Sequence, residues 1–270
     1  MTTCMTSSCV TLSSDVLHRL NPYPCPFSGS ALSRFLTQSH CPKLIFFYFE
    51  LNEEHCRTLV ATEDLRNDLA ITLRCCLLTA EGEPILFDGI RRNRGPTSID
   101  QCCHFNTRPF AEALRGNTRI KCLSISLQER IDAEDNHFLL QTLAENLGIE
   151  KLNLGGSAIT DEGWSIMCQS LATHPALKQH NLVSTASHDA GSRRRHTNGG
   201  LLMTEARKTQ RTQCLVEMSK ANTVVKHIRM NDEEDDETFW QNEIMPRLEM
   251  NELRSRIVAV KKTQGALRAP

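Results

Sequence analysis

The chain alternates between two hydrophobic periods. Ile149, Leu152 and Leu154 set a frame: apolar, two spacers, apolar, one spacer, apolar. Its end repeats every second residue, as a strand with one buried face requires. The frame recurs at Ile120-Leu123-Ile125, 29 residues earlier, and starts again at Leu177, 28 residues later, with Leu182 in the last place. Val225-Ile228-Met230 and Leu44-Phe47-Phe49 also fit it. Looser copies start at Asp68, with Leu73 last, and at Pro96, with Ile99 in the middle. Successive starts lie 24, 28, 24, 29, 28 and 48 residues apart.

Between the frames the period lengthens to that of a helix. Trp164, Met167, Cys168 and Leu171 share one helical face; so do Leu140, Leu143 and Leu147, and Phe110, Ala113 and Leu114. A second marker runs in register: Asn93, Asn117, Asn146 and Asn222 each precede a frame start by three residues, and Asn251 stands three before Arg254. Asn tolerates left-handed backbone, so these positions predict a helix end turning sharply into a strand. Each unit is then a strand, a turn, a helix and a return. One unit cannot bury both of its apolar faces, whereas stacked units can. The fold class predicted is an α/β solenoid of about six to seven irregular repeats. Leu152 and Leu154 should lie beside Leu123 and Ile125 in adjacent parallel strands.

"IEKLNLGGSAITDEGWSIMCQSLATHPAL", from Ile149, and "LRCCLLTAEGEPILFDGIRRN", from Leu73, resemble ribonuclease-inhibitor-like leucine-rich repeats. "ANTVVKHIRMNDEEDDETFWQNEIMPRLEMN" resembles the last repeat of large intracellular proteins of that type. The resemblance spans about residues 41 to 260. It implies a curved stack with strands on the concave face and helices on the convex face. It also implies protein binding, and no catalytic residues. Three residues depart from the pattern. Pro84 falls in a predicted helix and is tolerated only in its first turn. His180 stands where an apolar residue belongs, and Arg254 is a poor frame start.

Alternate side chains of a strand face opposite ways, so the frame spacers project from the concave surface. The candidate partner-binding residues are Phe46, Tyr48, Arg74, Asp100, Ser124, Lys151, Asn153, Gln179, Asn181, His227 and Arg229. The set is polar and mixed in charge, which suits hydrogen-bonded protein contacts. For Phe46 and Tyr48 a rival reading is preferred: they pack beneath the N-terminal segment as a cap.

Composition narrows the function classes. Lys plus Arg number 31 and Asp plus Glu 32, a net charge of -1, so no global attraction to nucleic acid or anionic membrane is expected. The 12 cysteines form no CxxC and read as reduced thiols in a cytoplasmic protein, with the nucleus as the alternative. The N-terminus carries no signal-peptide pattern, and the longest apolar run, "LIFFYFEL", is too short to span a bilayer. "VSTASHDAGSRRRHTNGG", Val183 to Gly200, makes the 177 unit too long and reads as a flexible insertion. The organisation predicted is an N-terminal segment over 1–40, partly disordered or capping, a repeat domain over 41–260 with an inserted loop at 183–203, and a tail over 261–270.

Chemistry-like motifs dissolve on inspection. Ser187-His188-Asp189 has triad residue types, but three consecutive residues cannot converge as a triad. "CCH" at Cys102 to His104 lacks a partner cluster at ligand spacing. The run from Asn231 to Glu237 complements the start of the helix read from Phe239, Trp240, Ile244 and Leu248. "GGSAITDEG" lacks the Lys of a phosphate loop. It reads as a strand-to-helix turn in which Ile159 plugs the core and Thr160 caps a helix opened by Asp161 and Glu162. No catalytic residue, cofactor or metal is assigned. The expected function is a non-enzymatic, monomeric module holding a protein partner. The alternatives are an enzyme regulator of nuclease-inhibitor or GTPase-activating type, or a fragment of a larger sensor.

Overall fold

The computed structural model describes residues 2–6, 9–13, 23–24, 27–38, 42–47, 49–65, 69–100, 106–125, 127, 133–155, 157–182, 186–187, 205–229 and 240–267. Its main sheet has nine strands: β1 (Thr2–Thr6), β2 (Cys9–Ser13), β4 (Lys43–Phe47), β6 (Ala70–Arg74), β8 (Ser98–Asp100), β9 (Cys122–Ser124), β10 (Lys151–Asn153), β12 (Gln179–Asn181) and β14 (His227–Arg229), in that order. β1 and β2 are antiparallel, and every later neighbour pair is parallel. Two small parallel sheets sit at the strand-to-helix turns. One joins β3 (Tyr23–Pro24), β5 (Phe49–Leu51) and β7 (Leu77–Leu78); the other joins β11 (Ala158–Ile159) and β13 (Ala186–Ser187). The helices are α1 (Gly29–Gln38), α2 (Glu53–Leu65), α3 (Gly82–Arg91), α4 (Thr107–Leu114), α5 (Ala133–Thr142), α6 (Asp161–Ala172), α7 (Glu205–Ala221) and α8 (Met245–Leu267). From α1 to α7 each packs on the next. A 3₁₀ turn, Leu143–Glu145, extends α5, and a π-helical turn, Trp240–Ile244, precedes α8.

β9 and β10 are parallel neighbours, with Leu152 opposite Leu123. Leu123, Leu152 and Leu154 are fully buried, while Ile125 is half-buried against the same core. One core row crosses the sheet through Phe46, Leu73, Ile99, Leu123, Leu152, His180 and Ile228. The sequence frame therefore holds from Pro96 onward and shifts before it. Its middle position is Phe46 rather than Phe47 in β4, and Leu73 rather than Ile71 in β6. A slip of two residues, as in β6, leaves the faces unchanged. A slip of one, as in β4, reverses them.

Helix predictions follow the same logic. Trp164, Met167, Cys168, Leu171, Phe110, Ala113, Leu114, Leu140 and Leu143 are buried, but Leu147 is 53% exposed because the helix has already ended at Asn146. Pro84 sits in the first turn of α3, where its missing N–H has no helical partner to lose. Thr160 caps α6, its hydroxyl accepting from Gly163 N at 3.0 Å. His180 is 2% exposed, in the core row.

The asparagine marker has a different basis from left-handed backbone. Only Asn93 of the five has a positive φ, 61°. The others are buried amide bridges between units. Asn146 Nδ2 donates to Leu114 O of the preceding unit at 2.8 Å, while its Oδ1 accepts from Gly148 N and Ile149 N, each at 2.9 Å. Asn117 repeats this with Ile90 O, Arg119 N and Ile120 N, and Asn222 with Leu171 O, Val224 N and Val225 N. Asn251 donates to Asn222 O and Val225 O. In each case a side-chain amide satisfies backbone groups that a tight return would strand. The 177 unit uses His174, three residues before Leu177. Its Nδ1 accepts from Ala176 N and Leu177 N at 3.2 and 3.1 Å.

α7 is locked onto α6 by a buried cation. Arg211, 4% exposed, donates to Asp161 Oδ1 at 3.0 Å and Ile159 O at 2.9 Å, and lies 4.9 Å above the Trp164 ring. Trp164 Nε1 returns a bond to Arg211 O.

Candidate binding face

Five short strands, β8 to β14, each turn one or two side chains away from the helices. The row Ile99, Leu123, Leu152, His180, Ile228 faces the core, so the residues flanking each face outward. They surround one shallow depression of about 520 Å³. Asp100, Ser124, Lys151, Asn153, Gln179, Asn181, His227 and Arg229 all line it, as do Ser98 and Cys122. Eight of the eleven sequence candidates thus come together.

The other three fare differently. Arg74 lies outward on β6 and belongs to the same face, pairing with Asp100 across the strand gap at 3.1 Å. Phe46 is 0% exposed and belongs to the core, so it is no surface anchor. The alternation Leu44/Phe46 on a five-residue strand turns it inward. Tyr48 lies outside the described residues. Among the described residues the aromatic that reaches the face is Phe47, with the Arg74 guanidinium 5.5 Å from its ring centre. "IFFYF" offers an aromatic at both parities, so only the strand register separates Phe47 from Phe46.

The face has an internal order. Asn153 Nδ2 donates to Ser124 Oγ at 3.0 Å, and its Oδ1 accepts from Gly155 N at 2.9 Å, which fixes the amide between two strands and the following turn. Charge is uneven across it. Arg74 and Asp100 neutralise each other at one end. At the other, Lys151 and Arg229 project beside His227 and the neutral amides of Gln179 and Asn181. Just below the face, Lys178 Nζ meets Glu150 Oε2 at 2.6 Å. The basic end therefore favours an acidic contact, and the amides offer donors and acceptors to backbone or side chains.

The other candidates from the sequence fall largely outside the described residues. Ser187 is in β13, whereas His188 and Asp189, Cys102 to His104 and the run Asn231 to Glu237 lie outside the described residues. Among the described residues no three His, Cys, Asp or Glu side chains are placed to hold a metal. Among them, too, no helix is long and apolar enough to cross a membrane.

No protein-family model and no curated protein matches the chain. Among solved structures it is similar to leiomodin-1 actin-binding site 2, at 19% identity and a TM-score of 0.51, over 70% of this chain and 98% of that one. It is also similar to a tropomodulin C-terminal domain from Caenorhabditis elegans, at 13% identity and a TM-score of 0.45, over 77% of this chain and 98% of that one. The likeness is one of fold: a leucine-rich-repeat-like arrangement of parallel strands backed by helices.

Proposed function

We propose that the chain is a non-catalytic binding module that holds a protein partner on the outward face of β8 to β14. The observation that carries this is the convergence of eight polar side chains, from five adjacent strands, around one depression. Hydrogen-bonded neighbours hold these strands in register, so the surface is ordered before a partner arrives. A preformed surface spends little entropy on binding, and affinity then rests on a few central side chains. Lys151 and Arg229 would meet carboxylates of the partner. Gln179 and Asn181 would exchange hydrogen bonds with its polar groups. The leiomodin-1 neighbour, named for binding actin, is a precedent for this kind of fold holding a protein. We assign the repeats to the ribonuclease-inhibitor-like class on their 28- and 29-residue units, and place the protein in the cytoplasm.

The test is affinity capture with wild type and a Lys151→Ala/Gln179→Ala variant. These two residues are exposed and sit opposite each other on β10 and β12, so the fold should not suffer. Partners captured by wild type should be lost or depleted in the variant. An unchanged partner set refutes this use of the face.

A further inference from the structure

Among the described residues three histidines are buried: His55, His174 and His180. His55 has a bond at each ring nitrogen, accepting from Asn52 N and donating to Phe27 O. The other two are incompletely bonded. Among the described residues His174 has no partner at Nε2, and His180 has none at either nitrogen. Such rings suit the core only while neutral, because an imidazolium brings two donors and a charge. At His174 the proton would have to land on Nδ1, where it would expel the N–H bonds of Ala176 and Leu177.

Both rings lie on one seam of the stack. His180 is in β12, and His174 is in the return that leads into it. Beyond this point the chain supplies β12, α7, β14 and α8. It meets the earlier units through the pairs β10–β12, β11–β13 and α6–α7. β14 ends the sheet. A stacked array opens most readily from its ends, where units have one neighbour instead of two. Arg211 and Asn222 also bridge the seam, and neither changes charge between pH 5 and 8. The two rings are then what makes the joint respond to acid.

The surroundings offer a proton no compensation. On the strands flanking His180, Lys151, His227 and Arg229 lie on the opposite face of the sheet. On the core side α6 and α7 bring Cys168, Cys214 and Arg211, and Arg211 is already held by Asp161. The elements adjoining His174 carry Glu145, Glu150, Lys178 and Lys220, each already in an ion pair. Among the described residues no Asp or Glu is buried. Burial accordingly pushes the pKa from 6.5 down to about 3 at His180 and about 4 at His174. An opened seam restores the ordinary value. Closure is therefore intact above pH 6.5 and weakens as pH falls toward the folded values. At pH 5 each ring favours opening roughly 30-fold, and the two together roughly 1000-fold. We propose that this seam is an acid-sensitive joint: protonation of His174 and His180 detaches β12, α7 and β14 from the stack. Gln179, Asn181, His227 and Arg229 leave with them, half of the side chains that surround the depression.

Hydrogen exchange of the full chain at pH 7.5 and 5.0 tests this, read as protection factors so that the intrinsic pH dependence of exchange cancels. Protection in β12, β14 and α7 should fall at least about 100-fold at pH 5.0, and in β8 and β9 less than about tenfold. His180→Leu, which places at 180 the residue found at 123 and 152, should shrink that fall roughly 30-fold. His174→Asn should do the same, and the double variant should abolish the fall. If leucine at 180 does not pack, His174→Asn alone carries the comparison. A uniform loss along the stack, no loss at this end, or a loss that persists in the double variant would overturn the proposal. The consequence for binding rests on the face proposed above. The exchange measurement needs no partner, so the joint can fail while that face stands, or stand while it fails.

Discussion

His174→Asn should stabilise this protein and weaken its sensitivity to acid. His174 stands where Asn117, Asn146 and Asn222 stand in other units, and it performs only part of their task. Its Nδ1 accepts two backbone N–H bonds, which requires the proton to sit on Nε2. That Nε2 is buried and has no partner among the described residues. Leaving such a group unsatisfied costs about 1–3 kcal/mol. An Asn keeps the two acceptor bonds through Oδ1 and adds a donor. The ladder specifies its target: Asn117, Asn146 and Asn222 each donate to the carbonyl three residues before the preceding marker, Ile90, Leu114 and Leu171 in turn, which makes Leu143 O the target at 174. Allowing for the small void left by the lost ring, the gain at neutral pH should be about 1 kcal/mol. Burial also pushes the His174 pKa from its ordinary 6.5 down to about 4. Protonation then favours the unfolded chain. Stability is full above pH 6.5 and falls as the pH drops toward 4. At pH 5.5 the loss through this one residue is at most about 1.4 kcal/mol. Urea denaturation at pH 7.5 and 5.5 measures both effects. The variant should be the more stable at pH 7.5, and its margin over wild type should widen at pH 5.5. A margin that is negative at pH 7.5, or that stays constant between the two pH values, would refute the reasoning.

Three further substitutions probe what holds the stack. Asn146→Ala strands Gly148 N and Ile149 N inside the protein, takes one of two donors from Leu114 O, and should cost about 3–5 kcal/mol in denaturant unfolding, enough to unfold a marginal domain. Gly148→Ala puts a Cβ 2.6 Å from the Thr118 carbonyl carbon, so adjacent returns must part; about 1–3 kcal/mol should be lost, with a lower melting temperature as the readout. Arg211→Ala removes the cation that joins Asp161, Ile159 O and the Trp164 ring; about 3 kcal/mol should go, and amide exchange should quicken in α7 before it does in α5.

Much of this was legible in the chain because the unit from Ile149 is regular. Its spacing located β9, β10, β12 and β14, and with them the residues around the depression. Where a strand lengthens to five residues and all but the first are apolar, as in "KLIFF", parity no longer reports the register, and Phe46 was assigned to the wrong face. His180 was visible as a misfit but not as a buried ring whose pKa burial pushes down to about 3, because that depends on its neighbours in the core row. His174 and Arg211 carry no local signature. One imitates asparagine through a ring nitrogen, and the other finds Asp161 and Trp164 nearly fifty residues away in sequence.

The central claim is that the face of β8 to β14 meets the partner, and site-specific photo-crosslinking tests it most directly. A photoreactive side chain placed at Gln179 would report that face, and one at Gln169, exposed on α6, would report the helical side. In cells expressing either version, a discrete protein adduct should form from position 179 and be absent from position 169. Adducts from 169 alone, or the same adducts from both positions, would contradict the account.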